Sequence, residues 1–246
     1  MEARTRKLDY GIDAPGVLRN LLVAGSVSVV LGIWLRNASV EWIRQGGAPV
    51  LFNMGGWLIF AGVLMLLYVK VGKFVHRDRM LKMISWRGDE RVLDVGTGRG
   101  LLLIGAAKNL TTGRATGVDV WSNVDLSSNS ETNTRKNIEL EGVANRVDLK
   151  SEDVRQLGFE DGTFDVILSN LCLHNIPDAV GRRQACHEIA RVLKPGGTAL
   201  ISDFMKTGEY VAAFRESGLR VERSAPYLLD TFPPLRVVRA IKPAAM

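Results

Sequence analysis

Cysteine is scarce in this chain of 246 residues: Cys172 and Cys186 are the only two. They match no disulfide framework and form no CxxC metal pair. That scarcity suits a site facing a reducing compartment. No internal repeat and no low-complexity stretch is present. Basic charge is also missing where a nucleic-acid enzyme would want it. The formal net charge is +6, but residues 91–246 hold 20 Lys/Arg against 19 Asp/Glu, and residues 1–90 hold 12 against 7. The excess lies in the N-terminal part, so a nucleic-acid partner is not expected. With 46% hydrophobic and 24% charged residues, the chain can build a real core and is not disordered.

Two long uncharged runs stand near the start. Leu21–Leu35 is short for a bilayer and Leu51–Val69 is long enough, since about 17–25 residues span one. The polar link Arg36–Val50, with Gly46, Gly47 and Pro49, reads as a turn. Gly25, Ser28 and Gly32 share one helical face, as do Gly55 and Gly62, so the two helices can approach closely. Trp34, Trp42, Trp57 and Tyr68 are placed near the segment ends, where such rings favour the interface. No small-x-small cleavage pattern follows Leu35, which argues against a signal peptide. The alternative is a pair of buried core helices.

Flanking charge orients the hairpin. Arg4, Arg6, Lys7 and Arg19 precede it, and Lys70, Lys73, Arg77, Arg79 and Lys82 follow it. Only Arg36 and Arg44, offset by Glu41, lie between. Both ends, and the domain that follows, are therefore expected in the cytoplasm. The basic run after Val69 is a candidate contact for lipid heads, or else a solvated helix face. Residues 1–87 are expected to form the membrane hairpin with its basic helix, and residues 88–246 a separate domain.

From residue 88 the pattern alternates. Strands are expected at Arg91–Val95, Ala115–Val120, Val147–Lys150, Phe164–Ser169, Thr198–Asp203, Leu219–Ser224 and Leu235–Ile241. Helices are expected at Leu101–Leu110, Ser130–Glu141, Ala179–Leu193 and Thr207–Ser217. That order gives an α/β fold with a doubly wound, seven-stranded, mostly parallel sheet. The last two strands are joined by the proline-rich stretch 225–234 without a helix, which makes the final strand antiparallel. Ligands of such sheets bind beyond the carboxyl ends of the strands, here after Val95, Val120, Lys150 and Ser169.

The first of these ends carries the chemistry. Asp94-Val95-Gly96-Thr97-Gly98-Arg99-Gly100 runs from strand through glycine turn to helix. Leu101 stands where a dinucleotide fingerprint needs its third glycine. The acid Asp94 would oppose a pyrophosphate and would suit an ammonium or sulfonium. Asp119, closing the second strand, can bridge two ribose hydroxyls. Glu152-Asp153-Val154 follows the third, and Asn170 closes the fourth.

The pieces VLDVGTGRG, ATGVDV, SEDVRQLGFEDGTFDVILSNLCLHNI and EIARVLKPGGTALISDF, in that order, resemble the class I S-adenosylmethionine-dependent methyltransferases, in particular the small-molecule branch related to quinone biosynthesis. The resemblance covers about Arg91 to Lys242 and leaves out the hairpin. It implies S-adenosyl-L-methionine as cofactor. It places Gly96, Gly98 and Gly100 along the methionine part, with Asp94 near the amino group. It puts Asp119 on the ribose, Val120 or Trp121 on the adenine, and Asp153 and the Val154 amide at the adenine edge. Asn170 falls beside the methionine moiety. The plainer alternatives are strand-end caps at Asp119 and Asp153, a core role for Trp121 and a turn role for Asn170.

A base is needed only if the acceptor holds its proton. His174, four residues past Asn170, is the candidate, with a pocket-wall histidine as the alternative. Cys172 sits between leucines with no basic neighbour to activate it. The paired cysteines of arsenic methylation and the Asn-Pro-Pro-Tyr of N-methylation are absent. The expected function is a membrane-anchored methyltransferase of a hydrophobic small molecule. Its rivals are a protein or RNA methyltransferase and a non-catalytic cofactor-binding scaffold.

Overall fold

A computed structural model of the chain describes residues 7–123 and 126–244. Arg4 and Arg6 of the flanking charge lie outside the described residues. The helices are α1 (Pro15–Leu35), α2 (Ala48–Leu67), α3 (Lys73–Lys82), α4 (Leu101–Ala107), α5 (Glu131–Leu140), α6 (Ala179–Val192) and α7 (Thr207–Glu216). The strands are β1 (Arg91–Val95), β2 (Arg114–Asp119), β3 (Val147–Ser151), β4 (Phe164–Asn170), β5 (Leu193–Asp203), β6 (Arg220–Arg223) and β7 (Arg236–Ile241).

The seven strands form one sheet in the order β3-β2-β1-β4-β5-β7-β6. The pairings from β3 to β5 are parallel, and β7 runs antiparallel to both β5 and β6. The expected doubly wound sheet with an antiparallel last strand is therefore present. Alternation along the strands builds two cores, one on each face. Val92, Val166 and Leu168 pack with Met80, Leu103 and Ile138 from α3, α4 and α5. Leu93, Val95 and Ile167 pack with Ala185, Ile189, Tyr210 and Phe214 from α6 and α7.

Among the described residues, two helices are long and apolar enough to cross a membrane. A core helix would be mostly buried, but only 17% of each apolar window is. Helix α1 begins at Pro15, so its 21 residues lift the length limit that Leu21–Leu35 suggested. The link is not a simple turn. After residues 36–40 the chain is helical again from Glu41. It passes a π-helical turn at Ile43–Gly47 and runs on as α2. Pro49 has no N–H to donate, and a widened turn just before it lets the helix continue. A second π-helical turn, Tyr68–Gly72, joins α2 to α3, so one helical rod spans Ile43–Lys82. Trp34 and Trp42 are exposed near helix ends as expected. Trp57 lies halfway along α2, and Tyr68 is 3% exposed because it packs on the C-terminal domain. These two do not stand as interfacial belts.

The small residues make the hairpin. A Cβ on Gly55 would lie 2.6 Å from Gly25 O, and one on Gly32 would lie 2.8 Å from Phe52 N. Backbone thus meets backbone, the close packing that small residues allow. Gly56, one residue on, faces open space. Gly55→Leu is therefore expected to destabilise the full chain by about 1–3 kcal/mol or more through overpacking. Gly56→Leu should melt like the parent in the same detergent.

Helix α3, grouped with the hairpin in the sequence reading, docks on the sheet. Met80 and Leu81 are in the core. His76 Nε2 lies 2.7 Å from Ser202 Oγ. Two cations of the basic run are turned inward. Lys73 Nζ donates to Tyr10 O and Gly11 O, and Arg79 pairs with Asp230. Only Lys70 and Lys82 of that run are exposed.

Candidate active site

The carboxyl ends of β1, β2, β4 and β5 converge on the glycine loop. Gly96 and Gly98 adopt φ of +69° and +53°, which side chains disfavour. There is also no room for a side chain. A Cβ on Gly96 would lie 2.3 Å from Cys172 Sγ, and one on Gly98 would lie 2.8 Å from Leu126 Cδ2. Asp94 lies under the loop. Its Oδ2 accepts from Thr97 Oγ1 at 2.8 Å and from Leu103 N at 3.0 Å, tying the loop to the first turn of α4.

Burial pushes the Asp94 carboxyl up to about 7. An acid whose folded pKa is raised favours folding least once it must ionise. Between about pH 4 and 7 the unfolded chain has lost this proton and the native chain still holds it. Stability from this group therefore falls as pH rises through that window. Asp94→Asn keeps an acceptor for both donors. It should match the parent near pH 4 and exceed it at pH 8 by on the order of a few kcal/mol, read from denaturant melts.

At the end of β2, Asp119 gathers three N–H donors. Oδ2 accepts from Gly98 N at 2.8 Å, and Oδ1 accepts from Trp121 N at 2.6 Å and Asn129 Nδ2 at 3.2 Å. It thus fixes the glycine loop and the residue after the strand together. Trp121 turns at φ +58°, and its indole N–H donates to Ser151 Oγ at 2.8 Å, bridging the ends of β2 and β3. Val120 is 65% exposed. Asp153 follows β3, but both its oxygens accept from Arg155, which holds its carboxyl below the usual range. Val154 is buried in the core beside Val95 and Val118.

Asn170 closes β4 with Oδ1 buried and unpartnered. The Tyr68 hydroxyl faces this amide, but neither oxygen closes a hydrogen bond of good geometry. The next turn brings His174 to Asp203 at the end of β5. Nδ1 lies 2.9 Å from Asp203 Oδ1, and the His174 amide donates to Oδ2 at 3.2 Å. A carboxylate only accepts, so Nδ1 carries the proton and Nε2 keeps its lone pair. Tyr210 donates to the same Asp203 at 3.0 Å, and Phe204 packs edge-on to the imidazole at 4.8 Å between centroids. Cys172 is half-buried, and desolvation with the nearby carboxylates of Asp119, Asp203 and Asp94 raises its thiol pKa, which disfavours it as a nucleophile.

The segment before α1 covers the site. Ile12 N donates to Ser127 Oγ at 2.8 Å, and Ser127 N donates to Ile12 O at 3.1 Å. Asp9 pairs with Arg99 at 2.9 Å. The loop's own cation therefore holds this strap. Around the site Asp119 accepts from Gly98 N, the buried Asn129 Oδ1 and Asn170 Oδ1 have no partner, and the buried Arg99 Nε is also unpaired. Those acceptors fit the amino group and ribose hydroxyls of S-adenosylmethionine.

Sequence reasoning missed Asp203, Asn129 and the strap. Asp203 carries the same signal as Asp119, an acid that ends a strand, and that signal could have found it. Asn129 and residues 8–13 have no periodic or motif signature.

Residues 93–201 match the family described as methyltransferase domain. The chain is 33% identical over 124 residues to a demethylmenaquinone methyltransferase of Staphylococcus aureus, covering 50% of this chain and 46% of that protein. It is 30% identical over 128 residues to the ubiquinone/menaquinone biosynthesis C-methyltransferase UbiE of Bdellovibrio bacteriovorus, covering 52% and 50%. The chain spans about half the length of the curated relatives it matches. Among solved structures, a SAM-dependent methyltransferase from Aquifex aeolicus superposes with a TM-score of 0.53 at 19% identity, over 67% of this chain and 88% of that one. The cyclase SpnF superposes at 0.58 and 17% identity, over 70% and 82%. Residues 93–201 are thus similar to a methyltransferase domain, and the sheet that holds them shares its fold with solved S-adenosylmethionine-dependent methyltransferases.

Proposed function

We propose that the protein is a membrane-anchored methyltransferase that moves a methyl group from S-adenosylmethionine to a lipophilic small molecule. The observation that carries this reading is where the hairpin ends. Tyr68 and Val69, just past α2, pack with Leu235, Leu171 and Phe204 beside His174. The apolar rod thus delivers its last turn to the transfer end of the sheet. Two relatives are named for menaquinone or ubiquinone methylation, which supports a quinol-like acceptor. In this reading α1 and α2 cross the bilayer, both ends of the hairpin are cytoplasmic, and residues 88–246 form the catalytic domain with α3 docked on it.

S-adenosylmethionine supplies a methyl group already activated on its sulfonium. The chain must hold it, align the acceptor and keep water out. Gly96, Gly98 and Gly100 would line the methionine part, and Asp94 beneath them, once ionised, would offset its ammonium charge. Asp119 would take the ribose hydroxyls and Trp121 would wall the adenine, with Asp153 and Val154 at its edge. Asn170 would lie beside the methionine. His174 Nε2 accepts the acceptor's hydroxyl proton, and Asp203 stabilises the imidazolium on the Nδ1 side. Formation of S-adenosylhomocysteine by the full chain should rise on adding a total lipid extract and stay at baseline with its water-soluble fraction. Turnover confined to soluble acceptors would sink the lipophilic reading. A second reading, another reaction on the same fold, has one observation in its favour, the superposition on a cyclase.

A further inference from the structure

Residues 225–235 link β6 to β7 and carry a feature the reaction does not use. Leu228 is 69% exposed and Leu229 is fully exposed, at 102%. Single exposed leucines are ordinary, but an adjacent pair on a loop that is pinned on both sides is not. Arg79 pairs with Asp230 and stacks over the Tyr227 ring at 4.2 Å. Tyr227 N donates to Leu235 O at 2.8 Å, and Leu235 N to Thr231 Oγ1 at 2.9 Å. The loop is therefore held with its leucines outward and cannot fold them back.

Its position says what they meet. Asp230 O presses on Gly72, so closely that a Cβ there would lie 2.1 Å away. Gly72 is five residues past the end of α2, about 7 Å along the rod at 1.5 Å per residue. On the same rod Leu67, Val71 and Val75 continue an exposed apolar stripe at i, i+4 and i+8, with Lys70 exposed among them. Apolar side chains flanked by an exposed lysine, at the foot of two long apolar helices, match the interfacial layer of a bilayer.

We infer that the 225–235 loop is a second membrane contact, with Leu228 and Leu229 seated in the interfacial layer beside the foot of α2. The inference rests on reading the hairpin as membrane-spanning. It makes the loop a fixed strut that sets the height and tilt of the active site over the lipid. Phe232 and Leu235 of the same loop pack on Tyr68 and Leu171, so the contact adjoins the transfer site.

The test uses the full chain in nanodiscs of phosphatidylcholine and phosphatidylglycerol. Cys186 is buried and the partly exposed Cys172 is replaced by Ser in every variant, so a fluorophore can be placed by Leu229→Cys, by Val30→Cys within α1, or by Glu160→Cys at the opposite ends of the strands. Nitroxide lipids labelled near the headgroup should quench the Leu229→Cys label at least twofold and leave Glu160→Cys unchanged. Val30→Cys should respond to nitroxides deep in the chains. Quenching at Val30→Cys without any at Leu229→Cys would overturn the loop contact and keep the hairpin. Quenching at neither would overturn both.

Discussion

Asp119→Ala should weaken S-adenosylmethionine binding by about a hundredfold and lower the melting temperature as well. The carboxylate holds three N–H donors, from Gly98, Trp121 and Asn129. Without it these groups are left unpaired, at about 1–3 kcal/mol for each one that stays buried. The glycine loop and the Trp121 turn then lose their common tether. The ribose contacts go too, and hydrogen bonds to a charged group are worth about 1.5–3 kcal/mol each. Roughly 1.4 kcal/mol is a factor of ten, so a hundredfold loss is a conservative figure. Asp119→Asn separates the two roles. It keeps one acceptor oxygen but turns an N–H2 group toward N–H donors, so it should fold and still bind weakly. Calorimetry reads both variants. An unchanged Kd for Asp119→Ala would remove Asp119 from the cofactor site.

His174→Gln should lower turnover by about 10² to 10⁴, the usual range for a lost general base, with cofactor affinity unchanged. Glutamine can still donate to Asp203, so the turn after β4 should keep its shape. The base itself is gone, because an amide does not titrate near neutrality. Asp203 acts through His174. Asp203→Asn removes the carboxylate that orients the imidazole, so it should reduce kcat more than it changes KM. A pocket-wall histidine would give a different result, a lower melting temperature with full turnover.

The sheet was legible because its strands alternate between two cores. Val92 and Leu93 are neighbours in sequence and pack on opposite faces. The break in that pattern at Asp94–Gly100 was legible for the converse reason, since a buried acid and three glycines serve no core. The hairpin could be read from Gly25, Gly32, Gly55 and Gly62, whose spacing has one use in a long apolar run. What escaped was whatever depends on contact across distance. Asp9 and Arg99 pair over 90 positions, and nothing local marks either. The docking of α3 was hidden because Lys73 and Arg79 look like surface charge until their partners at Tyr10, Gly11 and Asp230 are known. The dyad was half legible. His174 stood out by its place near the site, whereas Asp203 is defined only by the histidine that it faces.

The most direct measurement is mass analysis of the product. The full chain in nanodiscs is given trideuteromethyl S-adenosylmethionine and a total lipid extract, and the lipid phase is searched for the label. The expected result is one lipophilic species that carries a single trideuteromethyl group and is lost in His174→Gln. Label only in the aqueous phase, or on the protein itself, would contradict the assignment of a lipophilic small-molecule acceptor.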